Sequence, residues 1–412
     1  MKSNAKKGSL LALFYCVLII IGTFSLVHGW FPQLYRHVFI TLGIIAVSLV
    51  LIPRFFHSKQ FVIALFYAIV VYINYKNGDS YTEGKEILDG LILASCASMA
   101  WYFFTKKDIR AQKSLIIASL IILLVDTVGT FTAYMVQPDI VRSLLYEMQE
   151  TGNHESLIQF YKVGLVEYDV LHGFPVLIPP LIMWLRSENT QLAWKIVSWI
   201  SLVAIMLVLY AGEATTPFIL AIFAIIMSLL IIKGNHKRSM QRLAVSVVLV
   251  TPFLLSNTIT SSILSGASKL TGGELQKKIE TVQKSIDKNR AEGDIDIRYE
   301  LYSESVRAFV DSPIVGVNDN TKLGGHSALF DRMGAFGIIG VLPWILFVVV
   351  FVRYVYRNIP YYAYDFYNIG LFCFIALMVL KNMSYLYTWF SFMVLLPIML
   401  TLNVDKEKLR VK

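Results

Sequence analysis

Long apolar runs separated by short charged clusters make up most of this chain. A helix needs about 20 apolar residues to cross the hydrocarbon core of a membrane. Read on that length, the pattern predicts about twelve spans. They lie near 9–27, 37–53, 61–75, 87–104, 114–136, 170–185, 196–213, 216–232, 243–258, 334–352, 366–383 and 385–402. Two polar segments break the rhythm, one from Gln137 to about Asp169 and one from about Ile259 to Met333. The predicted fold class is therefore all-α, a polytopic membrane helix bundle with one large external helical loop. Its parts are a nine-span unit over 1–258, the loop over 259–333, and three further spans with a tail over 334–412.

Charge gives this pattern an orientation. Arg54 and Lys59, Lys106 to Lys113, Lys233 to Arg242, Arg353 and Arg357, and the basic C-terminal tail fall on one side of the predicted membrane. The opposite segments, the long loop apart, hold few basic residues: Arg36, Lys76, Lys85, Arg142, Lys162 and Lys381. Positive residues stay in the cytoplasm, whereas long translocated segments escape that bias. Both termini are thus expected in the cytoplasm, and the ten Lys/Arg of the long loop are no obstacle to placing it outside. The run after Lys2, Lys6 and Lys7 is of span length without a small-residue cleavage site. It reads as a retained first helix.

Composition agrees. Of 412 residues, 56% are hydrophobic and 16% charged, with a mean hydropathy of +0.61. That points to an integral membrane protein rather than a soluble domain. The net charge of +9 is scattered in short clusters with no continuous basic face, which argues against nucleic acid as a partner. Cys16, Cys96 and Cys373 all fall inside predicted spans, so neither a disulfide framework nor a zinc site is expected.

The long loop carries helical patterning. Leu275, Ile279, Val282 and Ile286 form an amphipathic stripe. Asn289 to Asp296 interrupts it, and a second helix is expected over Ile297 to Val310, stopping before Pro313. Arg298 begins that helix, with Tyr302 and Ser305 on the same face. Arg307 lies about 900° further round at 100° per residue, on the opposite side. Gly324 and Gly325 then give a flexible approach to His326.

Few residues here suit chemistry. Histidine is the side chain most easily used as a base near neutral pH, although one at a membrane boundary is more often structural. An arginine at Arg298 reads plainly as a solvated face or a headgroup contact. Gly337 and Gly340 read plainly as helix packing. Asp126, inside the fifth predicted span, is a costly charge that suits a cavity wall as well as a catalytic role. Asp294-Ile295-Asp296 mimics the Asp-x-Asp of metal-dependent glycosyltransferases. It lies on the side where nucleotide sugars are scarce, and neither metal nor cofactor is expected.

Taken together the residues say more. Arg298, the turn Ser312-Pro313-Ile314-Val315-Gly316, His326-Ser327 and, nine residues on, Gly337-Ile338-Ile339-Gly340 open a late predicted span. This arrangement resembles the signature of the bacterial O-antigen ligase and polymerase superfamily over about Arg298 to Trp344. The topology extends the resemblance weakly over the rest. One departure stands out. Where many members carry another arginine at the outer end of an earlier span, this chain reads Tyr210-Ala211-Gly212-Glu213-Ala214. A second cation would have to come from Arg332, Lys322, Arg142 or Arg36.

The resemblance implies a donor that arrives already activated, an undecaprenyl-diphosphate-linked oligosaccharide presented from the bilayer. Arg298 would hold the diphosphate, since arginine stays charged and binds phosphate bidentately. His326 would act as general base on the acceptor hydroxyl, with Tyr302, Arg332, Lys322, Arg142 and Glu213 as candidates around the substrate. The activity expected is polymerisation of repeat units for O-antigen, capsule or exopolysaccharide at the outer face of the bacterial cytoplasmic membrane. Membrane lipid, a flippase and a chain-length regulator are the expected partners. A ligase passing the glycan to lipid A-core or a protein is the nearest alternative. A lipid-linked oligosaccharide flippase or transporter is the alternative from another class, though no internal repeat of the kind transporters often show is visible.

Overall fold

The computed structural model describes residues 33–77, 85–137, 155–162, 164–231, 294–317, 322–381 and 386–402, with a few isolated positions elsewhere. Among the described residues every regular element is helical. In chain order these are α1 (Gln33–Leu51), α2 (Lys59–Asn77), α3 (Lys85–Lys106), α4 (Ile109–Val136), α5 (Glu155–Lys162), α6 (Tyr168–Leu171), α7 (Phe174–Arg186), α8 (Leu192–Ala211), α9 (Thr215–Leu230), α10 (Asp294–Asp311), α11 (Ala328–Tyr356) and α12 (Tyr364–Leu380). The chain then forms α13 (Leu386–Phe390), a π-helical turn (Ser391–Leu395) and α14 (Leu396–Leu402). The expected stripe at Leu275 to Ile286 lies outside the described residues, as does Arg142.

Two elements form the centre. Every residue of α7 from Phe174 to Trp184 is buried, and so is the run Leu386 to Leu400. A helix apolar on all sides belongs inside. The Trp184 indole Nε1 donates to the Met399 carbonyl at 2.9 Å, joining the two. α7 packs against α8, α9 and α12, and α8 packs back on α4. A second group, α1, α2 and α3, packs with α11. At the end of α7, Arg186 donates to the carbonyls of Ser228 and Ile231, each at 2.6 Å. Those oxygens belong to the last turn of α9 and the residue after it, where no backbone donor is left to meet them. Arg186 thus caps the end of α9.

Among the described residues, four helices are long and apolar enough to cross a membrane: Ile109–Val136, Leu192–Ala211, Ala328–Tyr356 and Tyr361–Leu380. Five more apolar helices are shorter, among them Phe174–Arg186 and Thr215–Leu230. This falls short of the about twelve spans expected, for two reasons. The runs at 9–27 and 243–258 lie almost wholly outside the described residues. Others fold into helices too short to cross: α7 has 13 residues, about 20 Å at 1.5 Å per residue against about 30 Å of hydrocarbon. Around the centre the outer faces stay apolar. Val128 and Val136 of α4, Trp199 of α8 and Phe39 of α1 are 62–82% exposed. Exposed apolar surface on this scale points to a membrane protein.

Candidate functional site

α10, the loop 322–327, the start of α11 and the end of α12 come together around Ser305, and the turn after α10 meets α11 further along, at Gly337. α10 runs from Asp294 to Asp311, three residues earlier and one later than the patterning predicts. Arg298 stands in its second turn. The Asp294-Ile295-Asp296 stretch begins the same helix. Among the described residues no group of three or more His, Cys, Asp or Glu is arranged to hold a metal ion.

One carboxylate ties this region together. Ser305, fully buried on α10, donates its hydroxyl to Asp331 Oδ1 at 2.6 Å and accepts the Gly324 N–H at 3.0 Å. Asp331 Oδ2 accepts the Ser327 N–H at 3.0 Å. The Ser327 hydroxyl in turn accepts the Phe330 N–H at 3.1 Å, capping α11. His326 is thereby bracketed. The residue two before it and the residue after it are both bound to the Asp331–Ser305 pair, while His326 itself is exposed. Gly324 and Leu301 approach so closely that a Cβ at Gly324 would fall on the Leu301 carbonyl.

The end of α12 closes the other side. Tyr302 donates its hydroxyl to the Leu380 carbonyl at 3.0 Å and sets its ring 5.9 Å from that of Phe330. The Ala328 N–H donates to the Lys381 carbonyl at 2.8 Å. Both acceptors sit at the end of α12, where helical carbonyls lack partners.

The two glycines of the Gly-x-x-Gly pair differ in kind. α11 breaks at Gly337, where φ is 57° and ψ is −160°. The break strips the next amides of their helical acceptors, and the turn after α10 replaces them. Ile338 N–H donates to the Pro313 carbonyl at 2.9 Å, and Ile339 N–H to the Ile314 carbonyl at 3.1 Å. Val317 N–H returns to the Gly334 carbonyl at 2.9 Å. A Cβ at Gly337 would come within 2.5 Å of the Ile314 carbonyl group, and one at Gly316 would fall on the Ala335 carbonyl. The Ser-Pro-x-x-Gly turn and the Gly-x-x-Gly pair are thus the two halves of one backbone joint. The plain expectation of helix–helix packing at Gly337 is replaced by this break.

The remaining candidates lie in several places. Arg332 is 4% exposed and faces the bundle. It forms an ion pair with Asp89 of α3, donates Nε to the Tyr67 hydroxyl of α2 at 3.1 Å, and donates Nη1 to the Ala328 carbonyl at 2.9 Å. Its guanidinium carbon also lies 5.1 Å from the Trp344 ring centre. This geometry makes Arg332 an anchor of α11 rather than part of the exposed surface around His326. Lys322 is exposed on the loop. Glu213 follows α8, is 5% exposed and holds a left-handed φ of 51°, a conformation that costs a non-glycine residue free energy. Asp126 is fully buried in α4, one turn from Thr130, whose hydroxyl accepts the Val166 N–H at 2.9 Å.

Sequence reasoning passed over Asp331, and it gave Ser327 no role of its own. The signal was there. A serine followed by an acid four residues later, at the start of an apolar run, is close to the spacing of a helix capping box. No family model matches the chain, and no curated protein matches its sequence.

Proposed function

We propose that this chain is a membrane glycosyltransferase that joins undecaprenyl-diphosphate-linked oligosaccharide repeat units at the outer face of the bacterial cytoplasmic membrane. The observation that supports it best is the Asp331–Ser305–Gly324 linkage, which holds the loop of His326 against α10, the helix that carries Arg298. A base for an acceptor hydroxyl and a cation for a diphosphate are the two groups such a transfer needs, and here they stand on neighbouring elements.

In the proposed reaction, His326 takes the proton of an acceptor sugar hydroxyl as its oxygen bonds to the anomeric carbon. The bond from that carbon to the diphosphate oxygen breaks, and the electron pair leaves with the diphosphate. Arg298 offsets the charge that develops there. Direct displacement inverts the anomeric configuration. Diphosphate leaves without a strong acid, so the scheme requires neither metal nor cofactor.

The test is elongation of a labelled lipid-diphosphate oligosaccharide by the purified chain in lipid, with no second acceptor present. The parent lengthens the substrate. His326→Ala and Arg298→Ala lower the rate by about 100-fold or more, the usual worth of a general base or a charge-stabilising donor. Arg298→Lys also loses activity, because an ammonium cannot bind phosphate through a planar fork. Unchanged rates in well-folded variants would overturn the assignment. Transfer only after lipid A-core is added would move it to a ligase.

A further inference from the structure

α10 has three faces. At 100° per residue, Leu301, Ser305 and Ala308 lie on one side, packed toward α11. Glu300, Glu304, Arg307 and Asp311 fall within about 60° of one another on a second, all exposed. Val306 and Val310 form the third, about 110° from the charges. They are exposed by 41% and 68%. The turn that follows continues this apolar face with Ile314 at 63% and Val315 at 52%. Four exposed branched side chains in ten residues would be a costly surface in water.

Their neighbours say what covers them. The turn is hydrogen-bonded through Pro313 and Ile314 to Ile338 and Ile339 of α11. Those two residues begin an outward stripe of a helix long and apolar enough to cross a membrane: Ile338, Ile339, Leu342, Ile345, Leu346 and Val349. A stripe at this spacing on such a helix faces lipid. Ile314 and Val315 sit on its upper end, joined backbone to backbone, and so share its surroundings.

We infer that α10 and the turn Ser312–Gly316 lie in the membrane boundary, with Val306, Val310, Ile314 and Val315 inserted among lipid acyl chains and the charged face turned to water. The occupant is the lipid surface itself. A helix with one strongly charged flank and one apolar flank binds in this way, with its apolar side buried at the headgroup–acyl boundary. The segment that patterning reads as an external polar loop is thus in part a membrane-inserted wedge. This inference is independent of the chemistry proposed for His326 and Arg298.

Spin labels test it on the full chain in lipid nanodiscs. Val310→Cys and Ile314→Cys carry the label on the wedge, with Val306→Cys as a further position on the same face. Leu342→Cys marks lipid, and Glu304→Cys marks water. Cys16, Cys96 and Cys373 are all buried, and the unsubstituted chain gives the labelling background. At 310 and 314 the collision ratio of oxygen to a water-soluble nickel complex should match that at 342 and exceed that at 304 several-fold. Ratios equal to that at 304 would overturn the inference. So would shielding from both reagents, which would mean that protein covers the face. The bulk of every substituted side chain points away from the core, and Val306→Cys supplies the reading if either wedge variant fails to fold.

Discussion

Asp331 and Arg332 are neighbours on one helical turn and carry opposite charges in opposite directions. The carboxylate reaches out to Ser305 and the Ser327 amide, and the guanidinium reaches in to Asp89 and Tyr67. The first fixes the His326 loop, and the second fixes the helix that the loop rests on. Asp331→Ala leaves a buried hydroxyl and an amide without their acceptor, a loss of about 1–3 kcal/mol. It should appear as a lower unfolding temperature together with slower elongation. Asp331→Asn, which puts an NH2 in place of one of the two oxygens that the two donors separately meet, should fall between. Arg332→Met strands Asp89 in an apolar interior and should cost about 3–5 kcal/mol. Arg332→Met combined with Asp89→Leu should recover much of that in the same unfolding measurement. A double variant no more stable than the single one would show that the pair is not coupled. Spacing alone could not separate these two residues. A sequence counts Arg332 as a cation near His326, whereas its partner Asp89 lies 243 positions away and is brought to it only by packing.

α10 was the element most legible in advance, because a proline stops a helix by local sterics and an apolar period survives in any context. The break in α11 was not legible. Glycines three apart mark close approach in any bundle, and whether a helix bends or opens there depends on what supplies the missing hydrogen bonds. Here the supplier is the turn at Pro313 and Ile314. Two glycines with positive φ therefore make a graded test. Gly325 has a φ of 68° with open space around its missing Cβ, so Gly325→Ala should cost only the left-handed strain, about 1–2 kcal/mol. Gly337→Ala adds a collision with the Ile314 carbonyl group and should cost more. Unfolding in detergent should rank Gly337→Ala well below Gly325→Ala, and equal values would mean that the turn does not press on the break.

Across the whole molecule, the apolar rhythm marks helices, and four of the described ones are long and apolar enough to cross a membrane. α7 and the α13–α14 run are apolar because they are central, and burial in protein selects the same side chains as burial in lipid. Hydropathy therefore counts both as spans, although a 13-residue helix enclosed by its neighbours need not reach either surface. Within the motif, the turn after α10 meets α11 at Gly337, whereas the His326 loop is tied to α10 through Ser305 and Asp331. The joint at Gly337 has a practical consequence. A peptide covering Asp294–Val317, cut free of the chain, would lose the amides of Ile338 and Ile339 and the carbonyls of Gly334 and Leu380 that hold it. Its own Pro313 and Ile314 carbonyls would have to turn to water. The Asp294–Val317 stretch is therefore not a module that can be excised, studied in solution or exchanged between proteins. The smallest transplantable unit includes the first half of α11 and the last turn of α12.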